Sequence, residues 1–101
     1  MDKFAFFETD EYAQWIRTQT LKSQRQILNR LLMIEEEGHF GHHKYLTENV
    51  WELKFNDGRR IYFGLLRKFN VILLLGGNKN GQDKDIKKAA KIFREIAKKQ
   101  C

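Results

Sequence analysis

Apolar residues recur with a helical period in the first third of the chain and with a period of two in its middle. Three phenylalanines within residues 3–8 precede a Thr-Asp pair, which is typical of a short strand followed by a helix N-cap. Helical spacing then predicts one helix over residues 10–18 and a longer helix over residues 21–37, which Gly38 ends. We expect these helices to form an antiparallel hairpin that covers one face of a sheet.

Residues 38–47 are the least regular part of the chain and contain all three histidines. We expect a surface loop here. A metal site needs ligands at a regular spacing, and neither a cysteine nor a His-x-x-x-His pattern on a predicted helix provides one. Solvent-exposed loop histidines are therefore the favoured interpretation of His39, His42 and His43, and we expect neither a metal nor a cofactor.

From Val50 onward the apolar positions alternate, which predicts strands over residues 50–55 and 59–66. A two-residue turn at Asp57-Gly58 would place apolar side chains opposite polar ones. A three-residue loop with Gly58 in the left-handed conformation keeps every apolar side chain on one face. This loop predicts four cross-strand pairs: Lys54–Arg60, Glu52–Tyr62, Leu53–Ile61 and Trp51–Phe63.

The last third of the chain predicts one more strand and one more helix. Residues 70–75 are apolar at consecutive positions, as expected for a strand that is central or covered on both sides. Asp83 is a suitable cap for a final amphipathic helix, whose polar face carries Lys84 and Lys87 among other cations. A solvated lysine face is the usual interpretation, and a face that binds RNA or a partner is the second.

Together these elements predict a single domain over residues 1–101 with an α+β fold. Its expected order is a short N-terminal strand, an antiparallel helical hairpin, a three-stranded antiparallel meander and a C-terminal helix. One modest hydrophobic core is what a chain of 101 residues can bury.

Composition limits the class of protein rather than its chemistry. The chain has 19 Lys and Arg against 13 Asp and Glu, and this net charge of +6 favours contact with phosphate backbones or acidic proteins. The single cysteine, Cys101, excludes an intrachain disulfide. Neither a signal peptide nor an apolar run of the ~18 residues that span a membrane is found. We therefore expect a soluble, cytoplasmic protein without membrane contact.

One face of the predicted hairpin brings together Glu52, Lys54, Arg60 and Tyr62. On this pattern alone, a structural role in which Glu52 neutralises the two cations and a functional role are evenly matched. The positive charge of the chain, and a second sheet face that already supplies the core, favour function. A carboxylate can take the proton of a ribose 2′-hydroxyl while a guanidinium stabilises charge on the phosphate. The pattern therefore fits metal-independent RNA cleavage on an open sheet face.

Four segments carry a specific combination of motifs: VWELKF at residues 50–55, RRIYFG at 59–64, ILLLGGNK at 72–79 and QDKDI at 82–86. In these segments, and in its order of elements, the whole chain resembles the addiction-module killer proteins, a HigB-like branch of the RelE/ParE superfamily of toxins. The resemblance implies a toxin of a type II toxin–antitoxin system that a cognate protein antitoxin neutralises. Toxins of this superfamily are often ribonucleases that cut messenger RNA at the ribosome, so the resemblance also implies this activity.

The resemblance also implies roles for individual residues. Arg60 would contact the phosphate, Lys54 would be a second phosphate contact, and Glu52 occupies the place of a general base. Lys79 matches a basic position in the loop after the last strand. Where several relatives have a late His or Tyr as general acid, this chain has Gly77-Asn78-Lys79, which leaves Tyr62 or Lys79 as candidates. We further expect RNA contacts from four residues: Arg59, Tyr62, Lys84 and Lys87.

Two other functions fit the same sequence. A ParE-like poison of DNA gyrase would have this fold and no enzymatic activity, but it would have no need for Glu52 and Arg60 together. A basic module that binds nucleic acid without cutting it would retain the charge, and its expression would be harmless to the cell.

Overall fold

A five-stranded mixed sheet runs through the centre of the computed structural model, which describes residues 3–99. Cys101 therefore lies outside the described residues. The strands are β1 (Ala5–Glu8), β2 (His43–Thr47), β3 (Val50–Lys54), β4 (Arg59–Leu66) and β5 (Asn70–Asn78). Their spatial order is β1-β5-β4-β3-β2, with β1 parallel to β5 and the other neighbours antiparallel.

Three helices cover the two faces of this sheet: α1 (Asp10–Arg17), α2 (Leu21–Glu37) and α3 (Gln82–Lys99). Tyr12 of α1 and two isoleucines of α2 are buried on one face, against the apolar side chains of the central strands. Ala89, Ala90 and Phe93 of α3 are buried on the other face. The sheet is thus enclosed on both sides, because α3 covers the face that the sequence analysis had treated as open.

The predicted helices are confirmed within a residue or two. Helix α2 has the predicted bounds and ends at Gly38, which adopts the left-handed conformation with φ +79°. Helix α3 begins at Gln82 after a short 3-10 turn, so Asp83 lies inside its first turn rather than capping it. Within residues 3–99, none of the helices is long and apolar enough to cross a membrane.

The hairpin between β3 and β4 has the register predicted from the sequence, and all four predicted cross-strand pairs form. Gly58 has φ +94°, a conformation that glycine adopts without strain. Its N–H donates to the carbonyl of Phe55 at 3.1 Å and closes a three-residue loop. The turn therefore places the side chains of the polar pairs on one face, as predicted.

The prediction of a loop over residues 38–47 is wrong in its second half. Strand β2 (His43–Thr47) pairs with β3 and extends the three-stranded meander to four strands. Arg30 of α2 holds the chain that leads into β2, since its guanidinium donates to the carbonyls of Phe40 (3.1 Å) and His42 (2.6 Å). Because β2 is a largely exposed edge strand, it lacks the apolar alternation by which strands are recognised.

A close contact between β4 and α3 seats the helix on the sheet. The ring of Phe93 lies against Gly64, where a Cβ atom would be only 2.4 Å from the ring. Consecutive residues of a strand normally face opposite sides of the sheet. A register shift between β4 and β5 at Tyr62 instead places both Leu74 and Leu75 in the core under α3. The absence of a side chain at Gly64 therefore allows α3 to pack directly on the strand.

Candidate nucleic-acid site

Glu52 occupies the centre of a polar cluster between β3, β4 and the start of α3. Its side chain is 0% exposed, and its Oε2 accepts a hydrogen bond of 2.9 Å from Nε2 of Gln82. Nζ of Lys54 lies 3.8 Å from its Oε1, and Nε of Arg60 lies 4.0 Å from its Oε2. We call these four residues the Glu52 cluster. One carboxylate faces two cations, so the cluster carries an excess of positive charge.

The two cations of the cluster are partly buried but still reach solvent. The side chain of Lys54 is 25% exposed and that of Arg60 is 14% exposed, whereas the carboxylate between them is enclosed. A second contact orients Arg60, because its guanidinium also donates to the carbonyl of Arg59 at 3.0 Å. Two adjacent cations that share one carboxylate and still reach solvent form a suitable site for a phosphate group.

Tyr62 is completely buried in the core under α3. Burial raises the pKa of its hydroxyl well above the usual range, and the charges of Glu52 and Asp85 raise it further, while Arg60 acts in the opposite direction. The expectation that Glu52 and Tyr62 lie on an open docking surface is therefore wrong. The physical reason is that the apolar side of α3 packs on this face of the sheet and excludes solvent from both side chains.

Several buried polar atoms of this region make no hydrogen bond within residues 3–99. They are Oε1 of Glu52, Nε of Arg60 and the hydroxyl of Tyr62. A buried polar group that is left without any hydrogen bond costs about 1–3 kcal/mol of stability. The polar atoms of the cluster are thus only partly paired by other described residues.

Arg59 belongs to a separate group on the opposite side of the hairpin. Its Nε donates to Oδ2 of Asp57 at 2.7 Å, and its guanidinium also donates to Oε1 of Gln26 in α2 at 3.2 Å. The hydrogen bonds that the side chain and the backbone N–H of Arg59 donate to Asp57 lower the pKa of the Asp57 carboxyl. Nε and Nη2 of the Arg59 guanidinium are therefore paired within the protein, whereas the buried Nη1 makes no hydrogen bond to another described residue.

Lys79 lies next to the β3–β4 turn. Its backbone N–H donates to the carbonyl of Gly58 at 2.9 Å, and the aliphatic part of its side chain packs against Gly58. Lys84 and Lys87 are exposed and lie one turn apart on α3, the helix that supplies Gln82. The structure thus places Lys79 and the two α3 lysines on elements that border the Glu52 cluster.

The three histidines are exposed, as predicted, although His43 belongs to β2 rather than to a loop. Nδ1 of His43 lies 2.6 Å from the carbonyl oxygen of Gly41. In the part of the chain that the structure describes, no three His, Cys, Asp or Glu side chains are grouped so that they could hold a metal ion.

Gln82 is the member of the cluster that sequence reasoning missed. It precedes the predicted cap residue Asp83 and lies within the QDKDI segment of residues 82–86. Its position at a helix start gave no sign that it contacts a strand residue 30 positions earlier. Only the packing of α3 on the sheet brings the two side chains together.

A family model of phage-derived Gp49-like proteins (DUF891) matches residues 14–98 of the chain. The chain belongs to this family. An uncharacterized protein from Haemophilus influenzae is 32% identical over 88 residues, which cover 84% of this chain and 88% of that protein.

Among solved structures, the Gp49-like chain has the fold of the RelE toxins. A mutant of the E. coli toxin RelE in the free state matches with a TM-score of 0.68 and 15% identity, over 89% of this chain and 95% of that one. The isolated E. coli RelE toxin matches with a TM-score of 0.62 and 14% identity, over 85% and 97%. The Mycobacterium tuberculosis toxin–antitoxin complex RelBE2 matches with a TM-score of 0.64 and 8% identity, over 77% and 100%.

The α+β, RelE-like fold predicted from the sequence is confirmed, and with it the assignment to the RelE/ParE superfamily at the level of the fold. The HigB-like branch stays a prediction. The roles that the sequence analysis gave to individual residues also stay predictions, which the geometry of the Glu52 cluster now restricts.

Proposed function

We propose that this chain is the toxin of a type II toxin–antitoxin system and that it cleaves messenger RNA on the ribosome. Its Gp49-like family and its RelE fold support the toxin assignment. One observation carries the nuclease assignment: the buried carboxylate of Glu52 holds Lys54 and Arg60 side by side with positive charge in excess. Solved structures with this fold include toxin–antitoxin complexes, so we expect a protein antitoxin as partner.

In this proposal Arg60 and Lys54 bind the scissile phosphate and stabilise the charge that it gains in the transition state. Glu52 does not touch RNA, because it is enclosed and bonded to Gln82. It acts as a positioning residue for the two cations, which replaces the general-base role predicted from the sequence. Lys79 contacts a neighbouring phosphate from the loop after β5.

Lys84 and Lys87 extend the positive surface along α3 and contact the RNA backbone in this proposal. Arg59 and Tyr62, which the sequence analysis included among the RNA contacts, are left out. Arg59 is paired with Asp57, and Tyr62 is buried. Since the substrate is translated messenger RNA, the proposed site of action is the cytoplasm.

Primer-extension mapping of transcripts in a translating extract tests this proposal. We expect cleavage by the wild-type chain, and a rate at least about 100-fold lower for Arg60→Ala, because a fixed donor to the phosphate is lost. Arg25→Ala is the matched control, since Arg25 is an exposed arginine of α2 and its loss should leave cleavage unchanged. Circular dichroism verifies that both variants are folded.

Other outcomes would contradict the proposal in distinct ways. Intact transcripts together with gyrase-dependent DNA breaks would replace the nuclease with a gyrase poison. Equal cleavage with and without ribosomes would refute the ribosome dependence alone. Equal activity of Arg60→Ala and Arg25→Ala would remove the Glu52 cluster from the mechanism.

A further inference from the structure

Strand β1 forms one edge of the sheet, and it pairs with the end of β5 opposite to the Glu52 cluster. The N–H groups of Ala5 and Thr9 donate to carbonyls on the β5 side, at 2.9 and 3.1 Å. Backbone groups of a strand alternate in direction, so those of Phe6 and Glu8 point toward the free edge. An edge of this kind is a template for a further strand.

Two grooves flank this edge, one on each face of the sheet, and both are lined by apolar and charged residues. The groove on the α3 side has a volume of about 600 Å³ and lies between Phe7, Ile92 and Ile96. The groove on the α2 side has a volume of about 580 Å³, and Leu28 and Leu32 are among the residues that line it. Phe7, Leu28 and Leu32 are 50%, 56% and 46% exposed. Side chains of an added strand alternate between the two faces and would therefore enter both grooves.

Carboxylates line both grooves, although the chain as a whole carries a charge of +6. Those of the groove on the α3 side are Glu8, Asp10, Glu11 and Glu95, together with the cation Lys99. Glu8 and Glu35 line the groove on the α2 side. The β1 edge is thus a locally acidic and apolar surface on a basic protein, and it complements a basic segment.

This charge argues against a second copy of the chain as the occupant. Pairing of two β1 edges would bring four carboxylate-lined grooves together, and like charges in contact are unfavourable. A partner with lysine or arginine beside its apolar residues would instead be attracted by the carboxylates and would also bury its apolar side chains in the grooves.

We propose that the β1 edge binds an extended segment of a protein partner, with apolar side chains at its centre and lysine or arginine residues flanking them. The segment adds to the sheet as a sixth strand beside β1. Its backbone bonds to Phe6 and Glu8, its apolar side chains enter the two grooves, and its cations meet the surrounding carboxylates. The proposal is independent of RNA cleavage, because it uses none of the residues of the Glu52 cluster.

The acetylated peptide KKVLVLVKK is a direct probe, used with the full chain. Titration followed by NMR should show binding, and amide exchange at Phe6 and Glu8 should slow because these groups become hydrogen-bonded. The peptide EEVLVLVEE reverses the flanking charge, and KKVLPLVKK removes a backbone donor at its centre. We expect both control peptides to bind at least roughly 10-fold more weakly than KKVLVLVKK does.

Two adjacent glutamates of α2 provide matched variants. Glu35 lines a groove, whereas Glu36 is exposed and lies outside both linings. We expect Glu35→Lys to weaken binding of KKVLVLVKK roughly 3- to 10-fold more than Glu36→Lys does, because only the first reversal acts at the groove.

Equal binding of the lysine-flanked and glutamate-flanked peptides would overturn the proposal. So would unchanged exchange at Phe6 and Glu8, or chemical-shift changes confined to the Glu52 cluster. Protection of the same two amides by dimerisation of the chain alone would assign the edge to a second copy and would also overturn it. Since no RNA is present, a failure of the nuclease proposal does not affect this result.

Discussion

The substitution Glu52→Gln removes one charge from the centre of the Glu52 cluster and leaves its shape unchanged. The new amide oxygen can still accept the hydrogen bond from Gln82, so the packing of α3 is preserved. What is lost is the attraction to Lys54 and Arg60 at 3.8 and 4.0 Å, and the two cations then repel each other without compensation.

The expected cost follows from burial and distance. Removing one partner of a fully buried ion pair costs about 3–5 kcal/mol. Here the two cations are 25% and 14% exposed, and both separations exceed a hydrogen bond, so solvent screens part of the effect. We therefore expect a loss of about 2 kcal/mol in the free energy of unfolding. For a domain of this size, that lowers Tm by about 8–16 °C.

Urea denaturation followed by circular dichroism measures this loss, with Asp57→Asn as the matched control. Asp57 is also paired with an arginine of the hairpin, but its side chain is 47% exposed. Removal of its charge should therefore lower the free energy of unfolding by less than about 1 kcal/mol. If Glu52→Gln cost no more than Asp57→Asn, the central role of Glu52 would be refuted.

Catalysis by Glu52→Gln separates a positioning residue from a general base. We expect a lower kcat/KM, because Lys54 and Arg60 are less well positioned on the phosphate, together with an unchanged shape of the pH–rate profile. Loss of the acidic limb of that profile would restore the general-base role and contradict the inference from burial.

Two further substitutions test the packing of α3 on the sheet. Gly64→Ala should destabilise the fold by about 1–3 kcal/mol, because the added Cβ meets the ring of Phe93, and Phe93→Leu in the same chain should recover part of that loss in urea denaturation. Burial raises the pKa of the Asp85 carboxyl, so the folded protein binds this proton more tightly than the unfolded chain does. The resulting stabilisation is fully present below the unfolded pKa of about 3.9 and is lost as the pH rises through the folded pKa. Asp85→Asn should therefore be more stable than wild type at pH 7 and equal to it near pH 4. A difference in stability that does not change with pH would contradict this assignment. So would the same pH dependence in the control Asp83→Asn, since Asp83 is exposed.

The parts of the fold that depend on nearby residues could be predicted from the sequence. The register of β3 and β4 follows from the Asn-Asp-Gly turn and from the alternation on either side of it, since a shift of one residue would move every apolar side chain to the wrong face. The bounds of α2 follow equally from its periodicity and from Gly38.

The parts that depend on distant contacts could not be predicted. The apolar stripe of α3 was visible in the sequence, but nothing local indicates which sheet face it covers. The pairs Glu52–Tyr62 and Lys54–Arg60 look like a solvated face when only their polarity is considered. Tyr62 instead packs in the core with Phe93, and Glu52 is enclosed with it. An exposed edge strand such as β2 escapes detection for a related reason, because it needs no apolar alternation.

Helix α3 connects the stability of the core to the geometry of the candidate site. It contributes Phe93, which seats it on Gly64, and also Gln82, which holds Glu52. These two residues are about 16 Å apart along the helix axis. Gly64→Ala should therefore lower RNA cleavage well below its melting temperature, where almost no unfolded protein is present. Full activity of this variant, at a reduced stability, would show that Lys54 and Arg60 keep their positions without the support of α3.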